Sequence, residues 1–412
     1  MPKNWKTYNL GDLVDLKQGL AINKKTKHLL TEDTSELPLF KINDLINNTV
    51  KHYVKSDEVP KQCIAKEDEL IYTRTGQVGL IFKGKKGCIH NNCFKIIPNE
   101  NLLSKDYIYW FLRQPHIIEY ANNIASGSVQ KDLNHKAFKS IEIDLPDTLY
   151  EQKAIASILS AIDDKIENNL AINKTLEDMA MALYKHWFVD FGPFQDSEFI
   201  DSELGPIPKG WEVKRLADCN KLVLGGTPAR KNESFWENGT IGWLNSGKVN
   251  EFRIVEPTSM ITLEAVSKSS TKLMKAGTTV IAITGATLGQ ISRIEKEFCA
   301  NQSVIGVLGN EIFSDEFIYL WMHQAMDELI KQSTGGAQQH VNKNDVGELN
   351  IVEPSVKVKA EFQKEIIDLF ETIKLNCFEN QTLTQLRDTL LPNLISGEVR
   401  LKEFQNQIET VL

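Results

Sequence analysis

The sequence predicts an α+β chain made by tandem duplication. Two homologous mixed α/β domains are each followed by a long helix, and the two helices pair as an antiparallel coiled coil. Three observations lead there. Short motifs recur in the same order at an offset near 207 residues. Each copy contains short β-branched or alternating runs and closes on a proline. After each closing proline comes a helical pattern whose apolar residues step by four and three. If the helices pair antiparallel, the two domains sit at opposite ends of one rod, related by a pseudo-two-fold axis.

The repeat is read as follows. Trp5, Leu10 and Asp12 recur as Trp211, Leu216 and Asp218. TGQVG, from Thr75, resembles TGATLG, from Thr284, with one residue inserted, and Asn91 matches Asn301. SGSVQKDLN, from Ser126, resembles STGGAQQHVN, from Ser333. The runs IEIDLP and LNIVEP end at Pro146 and Pro354. Gln152-Lys153 recurs as Gln363-Lys364, and Asn173-x-Thr175-Leu176 as Asn380-x-Thr382-Leu383. The plan is a mixed domain at 1–150, a central helix at 151–190, a linker at 191–207, a second mixed domain at 208–355, a second helix at 356–396 and a tail at 397–412.

Within each mixed domain, LIYTRTG, CFKIIP, TTVIAITG and SVIGVLG read as strands. KDYIYWFLRQPHIIEYA and DEFIYLWMHQAMDELIKQ read as short helices. In the first long helix Ile155, Leu159, Ile162, Ile166, Asn169, Asn173, Leu176, Ala180, Leu183 and Trp187 form a heptad seam, and Gly192-Pro193 stops it. At 1.5 Å per residue, about 37 residues span roughly 55 Å. In the second, Ile366, Phe370, Ile373, Cys377 and Asn380 continue the stepping. Leu383, Leu386 and Leu390 then carry the stripe until Pro392 breaks it. Asn173 and Asn380 are equivalent polar positions. They either fix register or drift to the surface, and the sequence leaves both readings open.

Composition narrows the class. Of 412 residues, 42% are apolar and 25% charged, as in ordinary globular domains. No run reaches the 18 or so apolar residues of a membrane helix, so no membrane is expected. MPKNWKTYNLGDL has no apolar core of a signal peptide, and six cysteines make no disulfide framework. A reducing cytoplasm is the expected location. The net charge of −8 is unevenly spread: residues 1–150 carry 21 basic and 18 acidic side chains, whereas 151–207 carry 4 and 11. The whole-chain charge therefore says little about what each part touches.

Catalytic motifs are scarce. GLIFKGKK and GWLNSGKV approach a phosphate-binding loop but lack its terminal Ser or Thr, the residue that contacts magnesium. Cys88, His90 and Cys93 have no evident fourth ligand, so buried thiols and a polar histidine are the simpler reading and no metal is expected. No G-x-S-x-G or H-E-x-x-H pattern occurs.

What remains is polar, basic and carried on loops. In the first copy the candidates for DNA contact are Lys24, Lys25, Lys27, Arg74, Thr75, Lys85, Lys86, Gln130 and Lys131. In the second they are Thr227, Arg230, Lys231, Asn232, Asn245, Ser246, Lys248, Thr284, Thr287, Gln338, Gln339 and His340. Such side chains suit phosphates and base edges. Solvated loops also look like this. Two copies on a rod add weight, because two readers a helical turn or more apart match a split site.

At these residues the chain resembles the specificity (S) subunit of type I restriction–modification enzymes over essentially its whole length. The segments that carry the resemblance are GGTPARKNESFWENGTIGWLNSGKV, TGATLG with NQSV, GGAQQHVNKNDVGELNIVEP, LYKHWFVDFGPF and LRDTLLPNLISGEVRL. The resemblance implies two target recognition domains reading the halves of a bipartite, asymmetric site on double-stranded DNA, with the helices as spacers. It implies two modification subunits that methylate adenine and restriction subunits that cleave. S-adenosylmethionine, ATP and magnesium then belong to those partners, with no cofactor and no catalysis in this chain. TRTGQVG departs from the fuller ITGATLGQ, so contacts transfer less securely there. A reader fused to its own methyltransferase or nuclease predicts a [DN]-P-P-[FY] tetrapeptide or a carboxylate–lysine cluster, and no such tetrapeptide occurs. A protein-binding scaffold is the third reading.

Overall fold

A computed structural model describes residues 5–333 and 341–399. It divides into two compact units, one formed by residues up to Lys165 with those from Leu383 onward, the other by Ile166–Thr382. Each unit contains part of both long helices.

In the first unit Trp5–Asn9 pairs antiparallel with Glu142–Pro146, Trp5 facing Pro146. The opening tryptophan and the closing proline of the repeat thus meet on one ladder. A four-stranded antiparallel sheet has the order Val14–Gln18, Cys93–Pro98, Leu70–Thr73, Ile81–Phe82. Leu70–Thr73 is buried at all four positions, as the unbroken β-favouring run LIYT requires. In a second sheet Leu37–Phe40 runs parallel to Gly87–Ile89. Tyr72, Phe94 and Phe138 meet edge-on or stacked in the core, with centroids 4.9–5.4 Å apart. Ile155 and Leu159 of the first long helix and Leu391, Leu394 and Ile395 of the second complete that core.

The second unit repeats the plan. Glu212–Arg215 pairs with Asn350–Glu353. Lys221–Leu224, Val304–Leu308, Thr279–Ala282 and Ile291–Arg293 form the matching four-stranded sheet. Ile241–Leu244 runs parallel to Phe298–Ala300, the counterpart of the parallel pair above. Tyr184 and Phe188 of the first long helix pack with Trp211, Phe317 and Phe362.

The long helices are Leu149–Phe188 and Val356–Ile395. Inside the second unit they pair antiparallel. Asn169 donates to Asn380 at 2.9 Å, and Asn376 donates to Asn173 at 2.8 Å, so numbers rise on one helix as they fall on the other. Asn169 and Asn173 are each 1% exposed. Buried amides bonded across a helix pair are satisfied in one register only. Inside the first unit Asp163 accepts from Arg387 at 2.7 Å, and it also pairs with Arg113. Of the predicted seam, Ile155, Leu159, Ile366, Phe370 and Ile373 are buried, and Ile162, Ile166, Leu176, Leu183, Leu383 and Leu390 are half-buried.

Two expectations are corrected. Leu386 lies outside the seam, 45% exposed. The next step from Leu383 is four residues, which brings Arg387 inward to Asp163. A guanidinium enters the stripe because a carboxylate waits for it, so residue type misled the stepping. The second error is Pro392, which does not end the helix. Proline removes one N–H, but the carbonyl of Pro392 still accepts from Ser396 at 3.0 Å, and burial of Leu391, Leu394 and Ile395 holds the last turn.

Candidate nucleic-acid interface

Antiparallel neighbours run in opposite directions, so the end of one strand and the start of the next share a sheet edge. In the first unit Gln18 faces Phe94 and Thr73 faces Cys93. That register gathers Gly19, Asn91, Asn92, Arg74 and Thr75 at one edge. In the second unit Leu224 faces Ile305 and Ala282 faces Val304. Gly225, Gly226, Asn301, Gln302, Ile283 and Thr284 gather there in the same way. The parallel strands bring one more loop to each edge. The His90 N–H donates to the Phe40 carbonyl at 3.0 Å, and the Asn301 N–H to the Leu244 carbonyl at 2.9 Å. Lys41 follows Phe40, and Asn245 and Ser246 follow Leu244.

Both edges need glycine at the same place. A Cβ on Gly19 would lie 2.3 Å from the His90 carbonyl oxygen, and one on Gly225 would lie 2.1 Å from that of Asn301. Backbone passes backbone too closely for any side chain.

In the first unit a polar cluster joins the loops. Arg74 donates to Asp132 at 2.5 Å and to Gln18 at 3.1 Å, and Thr75 donates to Asp132 at 2.6 Å. His135 Nε2 lies 2.9 Å from Gln18 Oε1. The amide of Gln18 donates to the Asn91 carbonyl at 2.5 Å. The Leu133 N–H donates to the Arg74 carbonyl at 2.9 Å, and Gly76 N–H to Lys131 carbonyl at 2.9 Å. Burial is the largest influence on the Asp132 carboxyl and pushes its pKa up, but the bonds from Thr75 and Arg74 and the guanidinium charge outweigh it and hold the carboxyl below the usual range. His135 is held below the ordinary histidine value by burial, then by Arg74 and Lys139. Burial and Lys41 do the same to His90. Arg74 is therefore a clamp between two loops.

The other candidates of the first copy divide. Lys24 and Lys25 are exposed on a turn framed by Asn23 and Thr26, and Lys27 is exposed just after it. The turn follows Leu20, whose carbonyl accepts from Asn91 at 3.0 Å, so it lies beside the edge. Gln130 is exposed, and Lys131 donates to the Asn122 carbonyl at 2.8 Å. Lys85 and Lys86 precede Gly87–Ile89, whose other end leads to His90, and Lys85 bonds Asn48 at 2.5 Å. The structure does not bring those two lysines to the edge.

In the second copy Thr227 donates to Gln302 at 2.6 Å. Arg230 lies over Trp236, and Lys231 and Asn232 are exposed beside it. Asn245 caps its turn by accepting from the Lys248 N–H at 3.1 Å, and the Lys248 ammonium lies 2.6 Å from Glu251. Ser246 is half-buried. Thr287 donates to the Thr284 carbonyl at 3.2 Å within the turn Gly285–Thr287. Gln338, Gln339 and His340 lie outside the described residues; at Val341 the N–H donates to the Ile283 carbonyl at 3.2 Å. Ile283, buried, stands where the first copy has Arg74, and an aliphatic side chain at that position cannot form the same clamp.

Sequence reasoning missed Gln18, Lys41, Asn91, Asn92, Asp132, His135 and Gln302. The matched pair Asn91 and Asn301 was the signal, because it marked the edge on which these residues converge. The arrangement offers amides, hydroxyls and cations at an exposed edge, twice. Among the described residues no group of three His, Cys, Asp or Glu side chains could hold a metal ion. Cys88 and Cys93 are buried, their thiols pushed up to about 12 by burial.

Comparison with known proteins agrees with this duplication. Residues 2–178 and 208–388 each match the type I restriction modification DNA specificity domain. The chain is 28% identical to the type I restriction enzyme MjaIX specificity subunit of Methanocaldococcus jannaschii, covering 98% of this chain and 95% of the relative. It is 24% identical to the HindI specificity subunit of Haemophilus influenzae, covering 96% and 100%. The crystal structure of an S subunit from M. genitalium superposes with a TM-score of 0.61 at 18% identity, covering 95% of this chain and 96% of that one.

Proposed function

The chain belongs to the type I restriction modification DNA specificity family, and on that premise we propose that each of its two sheet edges reads one half of a bipartite DNA site. As a member of the family it is the DNA-recognition subunit of a restriction–modification system and performs no catalytic step. The observation that carries the reading is the duplicated edge: one loop-bearing architecture, built twice in a single chain, with different side chains on each copy. Lys41 of the first edge stands where the second has Asn245, and the first edge is braced by the Arg74 clamp where the second has Ile283. Different side chains read different bases, so the two half-sites differ and the whole site is asymmetric. Loop lysines such as Lys24, Lys25 and Lys27 supply the sequence-independent attraction to phosphates.

On this reading two modification subunits bind the chain and methylate adenine with S-adenosylmethionine. Restriction subunits that use ATP and magnesium join them. Those cofactors are bound by the partners. The mild overall acidity fits such an assembly, because the segment 151–207, with 4 basic and 11 acidic residues, faces protein.

Methylation-sensitive sequencing of the host genome tests the proposal. N6-methyladenine is expected in a split, non-palindromic motif that disappears when this chain is deleted. Persistence of every methylated motif after deletion, or methyl transfer to DNA by the purified chain alone with labelled S-adenosylmethionine, overturns it.

A further inference from the structure

We propose that Arg230 is a guanine-reading residue of the second recognition domain. The proposal rests on the recognition function above and adds a base to it. Arg230 stands four residues after Gly226, on the loop that leaves the second sheet edge. Its guanidinium carbon lies 3.9 Å from the ring centre of Trp236 and 5.0 Å from that of Trp243. The two indoles are nearly perpendicular, at 82° with centroids 5.3 Å apart, so they form two walls of a corner. Both walls are themselves fixed. Trp243 is 2% exposed and donates its N–H to the Gly226 carbonyl at 3.1 Å, and Trp236 donates to the Ala229 carbonyl at 3.3 Å.

The side chain held in this corner is exposed. Among the described residues no carboxylate pairs with it. Arg74 in the first domain is the contrast, since Gln18 and Asp132 take its two terminal nitrogens. Stacking fixes the plane of a guanidinium through its π face and leaves the N–H groups along its edge free. A phosphate contact needs only charge and reach, which the exposed Lys231 beside it already offers. A fixed planar fork matches the paired O6 and N7 acceptors that guanine presents in the major groove. Lysine can also reach O6 and N7, but its freely turning ammonium is not set in plane by the indoles, so it matches the pair less selectively.

The test uses the full chain assembled with its modification subunits and a library of random duplexes, from which bound sequences are selected and read. Wild type is expected to select a two-part motif. Arg230→Lys and Arg230→Gln are each expected to relax one G·C position in one half by roughly 5- to 150-fold, with the other half unchanged. Replacing that guanine by 7-deazaguanine, which lacks the N7 acceptor, should weaken binding by wild type and leave binding by Arg230→Gln unaltered. Trp236→Leu, which removes one wall, should relax the same position less. If both Arg230 variants keep every base preference, and Arg230→Gln loses only about one unit of salt slope while Arg230→Lys retains it, Arg230 touches phosphate and the inference falls. If wild type selects no two-part motif, the recognition reading itself falls, a result visible before any variant is made.

Discussion

Replacing Arg253 by methionine should destabilise the unit Ile166–Thr382 far more than replacing Glu177 by glutamine, although the two side chains bond each other. Arg253 is wholly buried. It donates to Glu177 at 3.0 Å and to the Tyr319 hydroxyl at 2.8 Å, and it lies 3.5 Å from Glu295. Arg293 holds Glu295 at 2.9 and 2.8 Å and Glu316 at 2.8 Å. The cluster therefore sets two guanidiniums against three carboxylates. Methionine at 253 leaves one guanidinium facing all three, whereas glutamine at 177 leaves two facing two. Removing one member of a buried ion pair costs about 3–5 kcal/mol, because the survivor stays desolvated. Exchanging a charge-assisted bond for a neutral one costs about 1–2 kcal/mol. A domain of about 150–250 residues shifts by roughly 2–4 °C per kcal/mol. Arg253→Met should thus lower the melting temperature of this unit by about 6–20 °C, and Glu177→Gln by about 2–8 °C. Thermal and urea unfolding of the full chain, fitted as separate transitions, measures both. A stability for Arg253→Met within about 1 kcal/mol of wild type, or an equal cost for Glu177→Gln, contradicts this charge balance.

Three further outcomes are expected. Burial is the largest influence on the Asp163 carboxyl and raises its pKa, but the bonds and charges of Arg387 and Arg113 prevail and hold it low. Its stabilisation is complete above the unfolded value of 3.8 and vanishes as pH falls through the lower folded value. Asp163→Asn should therefore cost about 2–4 kcal/mol at neutral pH, with a gap that narrows in acid; urea midpoints across pH check this, and a constant gap contradicts it. Asp132→Asn removes the charge that clamps Arg74, so it should blur one half-site and spare the other, which selection from random duplexes reads directly. Changing Lys24, Lys25 and Lys27 together to alanine should reduce the salt slope of DNA binding by up to about 3 if each meets a phosphate; an unchanged slope removes that turn from the interface.

The parts of the molecule set by local pattern were legible before the structure. Trp5 and Trp211 announced the duplication, and the runs ending at Pro146 and Pro354 pair with the strands those tryptophans open. The stepping from Ile155 to Trp187 lies inward along its whole length. Periodicity is a property of neighbours on the chain, so it survives in a string of letters. Polarity and charge were less legible. Arg74 read as a residue for DNA because a lone arginine on a loop looks available. Its carboxylate partner, Asp132, lies 58 residues away, and only folding brings the two to 2.5 Å. Nothing local in the sequence marks the residue after Phe40, and the parallel pairing of Leu37–Phe40 with Gly87–Ile89 is what delivers Lys41.

Leu386, Arg387 and Pro392 divide the same way. In isolation a leucine seeks the core, an arginine the solvent, and a proline ends a helix. Here Asp163 draws Arg387 inward, Leu386 turns out, and the helix runs past Pro392 to seat Leu394 and Ile395. The amino-acid order carried the repeat, the strands and the helical stripes, because those follow from the intrinsic geometry of the backbone. Which charged groups neutralise one another and which stay exposed, Arg230 against its indoles among them, depends on distances between residues remote in the chain, and those exist only once the chain has packed.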